Sequence, residues 1–203
     1  MIEFSWPQVR ERVYSRLLSS EFHCTTLAGL STYPVAGDLV FAMYIDTSDQ
    51  YPGMHPVITK MMMHKWHISY AELARQVKTN DGKLAWHIHR IEDDINKKEL
   101  PDIQSSQAAS SMYLIAYDNN PLSTTVVLRE DVQEELDRTF WDSDGYYLLP
   151  ASCSEWIALP AKGTDPEELA SIVYDINRRH LSEPDRLSDH VYTIRDGLLA
   201  LVI

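Results

Sequence analysis

The chain has 203 residues, 44% hydrophobic and 24% charged, which are the proportions of a globular domain with a sizeable core rather than of a disordered chain. Thirty acidic residues against eighteen basic ones give a formal charge of −12, which repels phosphate backbones and disfavours nucleic-acid binding. No uncharged apolar run approaches the ~18 residues of a membrane span, the opening MIEFSWPQVRERVY lacks the apolar centre of a secretory signal, and Cys24 and Cys153 fit neither a metal spacing nor a disulfide framework, so the expectation is a cytoplasmic protein with no cofactor and no membrane contact.

In chain order, Ser5 caps a first helix with Pro7 in its first turn, and Trp6, Val9, Val13 and Leu17 form its buried stripe. Thr25 to Gly37, with two glycines and a proline, reads as an irregular connection into a buried strand over Asp38 to Asp46. After a turn at Asp49-Gln-Tyr-Pro-Gly, Pro56 to Met63 is expected to pair back on that strand, while Met61 to His67 has no clear period. Ser69 and Glu72 make a capping box for a helix with Leu73, Ala74 and Val77 on its inner face, broken at Asn80-Asp-Gly. Leu84, Ile88, Ile91 and Ile95 predict a further helix from Leu84 to Lys98.

The small, polar stretch Ile103 to Ser111 reads as a linker. Met112 to Tyr117 and Thr124 to Leu128 then read as a hairpin around Asp-Asn-Asn-Pro. The centre of the chain is Tyr146 to Pro160, two apolar strands joined by Ala-Ser-Cys-Ser and flanked by amphipathic helices over Arg129 to Trp141 and Asp165 to His180. With a strand at His190 to Ile194, the C-terminal order becomes β-β-α-β-β-α-β. The expected fold is α+β, helices on an antiparallel or mixed sheet, in a single domain over 1–203 that the linker 103–111 can divide into lobes of 1–102 and 112–203.

Several segments together carry a family resemblance: Asp38 through Ile45, WHISYAELARQVKTN from Trp66 to Asn80, Leu149-Pro150 with Ser152 and Glu155, Val173 to Asn177, and Leu187-Ser-Asp-His-Val-Tyr192. Their order and spacing resemble those of a bacterial family of unknown function, DUF5688. The resemblance implies a shared α+β fold and brings no activity with it. The chain departs from the pattern at Cys153, where an apolar residue is expected, and at Ser154, where a histidine is common, so no role resting on that histidine operates here.

Two chemical sites are conceivable from the residues. Cys153 in the central connection, beside Ser152, Ser154 and Glu155, offers a nucleophile that one of eight histidines could serve as base. Against this, there is no G-x-S-x-G elbow and no neighbouring glycine for an oxyanion hole, and a cysteine beside apolar strands is commonly a small buried residue. For a metal, His64 and His67, near His55 in sequence, would share a face at a spacing of three if Met61 to Trp66 is helical. His87 and His89, two apart, would diverge by ~200° on the helix predicted for them. Surface histidines remain the simpler reading for both pairs.

Tyr146, Tyr147, Trp156, Trp141 and Phe140 gather around the central hairpin as core or as a recognition groove. Ser188 and Asp189 read as turn residues. Three functions compete: a non-enzymatic module binding a protein partner, a ligand or a second copy of itself; a small-ligand or metal-dependent enzyme built on His64, His67, Cys153 and Glu155; and an acidic decoy that imitates nucleic acid. Binding is the leading expectation.

Overall fold

The computed structural model describes residues 4–23, 27, 30, 32–51, 54–92, 111–118, 120 and 124–203. The chain divides into two compact units, Met1–Leu84 and Ala85–Ile203. Most of the linker predicted at 103–111 lies outside the described residues, as do Cys24 and the second half of the helix predicted over Leu84 to Lys98.

In the N-terminal unit, α1 (Trp6–Val9) runs through a 3₁₀ turn (Arg10–Arg12) into β1 (Val13–Ser19). The long first helix predicted from the Trp6 to Leu17 stripe is therefore corrected. Val13 and Leu17 are four residues apart, which puts them on one face of a strand as well as of a helix, and Ser15 between them is also fully buried. Its backbone N–H and hydroxyl both donate to the Asp81 carboxylate, at 3.2 and 2.5 Å. Strand β1 pairs antiparallel with β3 (Leu39–Ile45), which pairs with β2 (Tyr33–Ala36). The connection read as irregular thus contains a short edge strand. Pro56 to Met63 forms only isolated bridges, Tyr44 with Val57 and Leu30 with Thr59, before Thr59 caps α2 (Lys60–Trp66). Helix α3 (Tyr70–Asp81) begins as expected, with the Ser69 side chain accepting the Glu72 N–H. Leu73 and Val77 of α3 and Met63 of α2 pack with Val13, Met43 and Ile45 in this unit's core. Buried Asn80 ties the end of α3 to the carbonyls of Arg10 and Val13 at 2.8 and 2.9 Å.

The C-terminal unit holds a six-stranded antiparallel sheet in the order β4-β5-β7-β6-β8-β9: β4 (Trp86–Arg90), β5 (Tyr113–Tyr117), β6 (Tyr146–Pro150), β7 (Glu155–Pro160), β8 (Tyr192–Arg195) and β9 (Leu198–Leu201). The helix predicted from Leu84 is corrected to strand β4, because Leu84 and Ile88 are again an even number of residues apart. The central hairpin, α4 (Glu130–Thr139) and α5 (Pro166–His180) match the expectation. The β-branched run Thr124–Leu128 is a 3₁₀ turn rather than a strand. The chain adds β9 after an Asp196-Gly197 turn with φ of 51° and 75°, so the C-terminal strand order differs from the predicted one.

Strand alternation gives the sheet two faces. One carries Ile115, Trp156, Ala158, Leu148 and Tyr192, all fully buried, on the side of the 3₁₀ turn and α4. The Trp156 indole N–H donates to the Thr124 carbonyl at 2.8 Å, and the Phe140 ring lies 5.5 Å from both Tyr113 and Tyr146. On the other face, Leu149, Leu159 and Val191 pack with Leu169 and Val173 of α5.

Candidate functional site

Helix α5 begins where the chain leaves β7. Thr164 donates its hydroxyl to the Pro160 carbonyl at 2.9 Å, Gly163 takes φ 77°, and Asp165 caps the helix by accepting the Glu167 N–H at 2.9 Å, with Pro166 pre-set for the first turn. The turn is further held by the Ala161 and Lys162 N–H groups, which donate to the Gly145 and Ser143 carbonyls, each at 3.0 Å. Its shape is thus fixed by hydrogen bonds within the unit. The inward stripe of α5 is Leu169, Val173 and Asn177, which leaves Ile172 and Ile176 each 45% exposed on its flank.

The β5–β7 register pairs Tyr113 with Ala158, and carried one step further it sets Met112 beside Leu159 on the α5 face. These residues, the flank of α5 and the turn before it enclose an open cleft of about 500 Å³. Its apolar lining is Met112, Leu159, Leu169 and Ile172, and its polar rim includes Lys162, Asp165 and Glu168. The volume is of the order found in ligand sites, and the open lining mixes apolar and polar residues in nearly equal number. The one lysine is outnumbered by the carboxylates, so the rim favours a cationic group beside an apolar one.

On the same face, the edge strand β4 lies next to β5 and carries His87 and His89. They project on one side because alternate residues of a strand do, and their rings stack with centroids 5.0 Å apart and planes 25° from parallel. The His87 Nδ1 lies 2.6 Å from the Asp118 carboxylate. The register His87–Ala116–Glu155 across β4, β5 and β7 places Glu155 on this face, two strands from His87 with only a methyl side chain between them.

The predicted site residues fall in separate places. His64 and His67 lie in the N-terminal unit, on the last turn of α2 and at its left-handed cap, with ring centroids 6.5 Å apart. Cys153 and Glu155 lie in the C-terminal unit. Cys153 is 6% exposed, and its thiol points at the carbonyls of Pro184 and Arg186, at 3.3 and 3.6 Å, while its N–H donates to the Asp185 carbonyl at 2.8 Å. Carbonyl oxygens satisfy a thiol proton and repel a thiolate, so this contact anchors the 184–186 segment. Asn177, at the end of the α5 stripe, anchors the chain just beyond it through its amide, which donates to the Ser188 carbonyl at 2.9 Å and the Asp189 carboxylate at 2.7 Å. The Ser188 hydroxyl accepts the His190 N–H at 3.1 Å, the turn role expected of it.

Of the hairpin aromatics, Trp156, Tyr146 and Phe140 are core and Tyr147 packs at its edge, whereas Trp141 is 82% exposed. Burial, with the Asp137 carboxylate nearby, pushes the Tyr146 hydroxyl well above its ordinary range. The cleft residues Met112, Lys162 and Ile172 were missed in the sequence. The available signal was the surplus of apolar positions on α5, where Ile172 and Ile176 stand outside the stripe that one face needs. Among the described residues, no group of three or more His, Cys, Asp or Glu side chains is placed to hold a metal ion.

The fold defines an α+β protein with two antiparallel sheets, and the C-terminal unit carries a helix-on-sheet cleft. The chain belongs to the family of unknown function DUF5688, whose model matches residues 2–195. No curated protein and no solved structure matches it. Among the described residues, no helix is long and apolar enough to cross a membrane.

Proposed function

We propose that the chain is a non-enzymatic binding module of the bacterial cytoplasm, and that its C-terminal unit takes a short segment of a protein partner in the cleft between α5 and the sheet. The observation that carries this reading is the cleft itself, with its apolar floor and acidic rim. The segment it fits presents one aliphatic side chain to Met112, Leu159 and Ile172 and one lysine or arginine to Asp165 and Glu168. The formal charge of −12 favours the same class of partner, because it draws cationic segments and repels anionic ones at long range. Among the titratable groups of the C-terminal unit that are shifted, Asp131 with Arg129, Tyr146 in the core and Arg178 with Asp189 each belong to a structural pair or to the core, and none lines the cleft, which supports binding rather than catalysis there.

The test is fluorescence polarisation on the full chain with two labelled peptide sets that share a leucine and differ only in a flanking lysine or glutamate. The expected result is saturable binding of the lysine peptides, at least tenfold weaker binding of the glutamate peptides, and loss of binding in Ile172→Asp. Glu168→Lys should narrow or invert the preference. Equal affinity for both sets, or binding indifferent to Ile172→Asp, contradicts the proposal.

A further inference from the structure

We infer that His87 and His89 form a two-point binding site for a late first-row divalent metal ion such as Zn²⁺, Ni²⁺ or Cu²⁺, independent of the cleft and its proposed role. Spacing is the first reason. Two residues apart on strand β4, the histidines stand on one face of the sheet, and their ring centroids are 5.0 Å apart. Imidazole nitrogens bind zinc at ~2.0–2.1 Å, so two rings bound side by side to one ion have centroids roughly 4.5 to 5.2 Å apart. His64 and His67 on α2, at 6.5 Å, fall outside that range.

The tautomer is the second reason. A carboxylate only accepts hydrogen bonds, so at 2.6 Å the Asp118 oxygen holds the proton of His87 on Nδ1 and leaves the Nε2 lone pair for a metal. Carboxylate-backed histidine of this kind is the usual outer arrangement of a metal ligand, in which the carboxylate fixes the ring and raises its basicity. The rings are stacked 25° from parallel, so bringing both to one ion takes a change of ring angle about χ2, a broad torsion for histidine, made at His89 while Asp118 holds His87. Side-chain exposures of 40% for His87 and 42% for Asp118 keep the position open to solvent.

Among the described residues, no third His, Cys, Asp or Glu is placed to join the pair. Nitrogen donors without thiolate select the borderline metals over Mg²⁺ and Ca²⁺, which prefer oxygen.

The experiment uses the tag-free full chain, titrated calorimetrically with Zn²⁺ and then Ni²⁺, alongside ¹⁵N spectra of the histidine ring nitrogens. The expected result is one saturable equivalent, with the ring signals of His87 and His89 shifting together. His87→Ala and His89→Ala should each weaken binding at least tenfold, and Asp118→Asn roughly tenfold or more. His64→Ala should leave it unchanged. Binding retained in His87→Ala, ring shifts confined to other histidines, or no saturable binding at millimolar metal overturns the inference. The ring spectra are recorded on the unsubstituted protein, so the outcome does not depend on a variant folding.

Discussion

The two faces of the six-stranded sheet are built from the same strands and finished differently. On the α4 side, large aromatic and aliphatic side chains meet the 3₁₀ turn and helix with almost no exposed surface, and Trp156, Ile115, Leu148 and Tyr192 are fully buried. On the α5 side, among the described residues, α5 lies over β6 and β7. The cleft at Met112 and Ile172 and the His87–His89 pair are both on that face. Both faces carry buried core, and the α5 face in addition holds the open surface proposed here for recognition.

The largest effect should come from opening the closed face. Trp156→Ala removes a fully buried indole and its hydrogen bond to Thr124, and is expected to cost about 3–5 kcal/mol in urea unfolding followed by circular dichroism. A loss under ~1 kcal/mol would mean that this face is not the core. Next is Asn177→Ala, which leaves the buried Ser188 carbonyl and the Asp189 carboxylate without their amide donor. About 1–3 kcal/mol should be lost, with faster amide exchange over 186–190 as the local signature.

Asp131 gives a smaller, pH-dependent effect on the α4 side. The Arg129 guanidinium, with the Trp86 indole, holds its carboxyl at about 2, below the usual carboxylate range. Because the folded value is the lower one, the contribution is present above about pH 4 and is lost as pH falls through about 2. The Asp131 side chain is 51% exposed, so solvent screening keeps the contribution under ~1 kcal/mol, and Asp131→Asn should flatten acid unfolding curves in that window by a correspondingly small amount. Smallest in stability is Ile172→Asp on the open face, within ~0.5 kcal/mol of the parent, although it should abolish peptide binding. A destabilisation as large as that of Trp156→Ala would show that Ile172 serves the core and would erase the contrast between the faces.

The legible parts of this fold are those whose pattern admits one period. Helices α3 and α5 announce themselves by caps at Ser69 and Asp165, and the β6–β7 hairpin by apolar runs too short for helices. Val13 with Leu17 and Leu84 with Ile88 misled because a four-residue spacing is one helical turn and also two strand repeats. The residues that break the tie are polar: Ser15 is buried only because Asp81, distant in sequence, accepts its hydroxyl. Thr124–Leu128 has strand propensity, yet its first four residues are buried in a 3₁₀ turn whose Thr124 carbonyl is taken up by Trp156, a tertiary contact invisible from local composition. The cleft was illegible for a related reason. It joins Met112 to Ile172 through a strand register and a helix packing choice that sequence spacing does not encode. The histidine pair is visible as His-x-His, but the helical reading of its segment sends the two rings apart, and surface histidines are the simpler reading.

The most direct measurement is backbone ¹H–¹⁵N chemical-shift mapping of the full chain titrated with the lysine-leucine peptide. The account predicts saturable shifts concentrated at Met112, Lys162 to Leu169 and Ile172, with the indole signal of Trp156 unmoved. Shifts centred on the α4 face or on exposed Trp141, with the cleft residues silent, would contradict it.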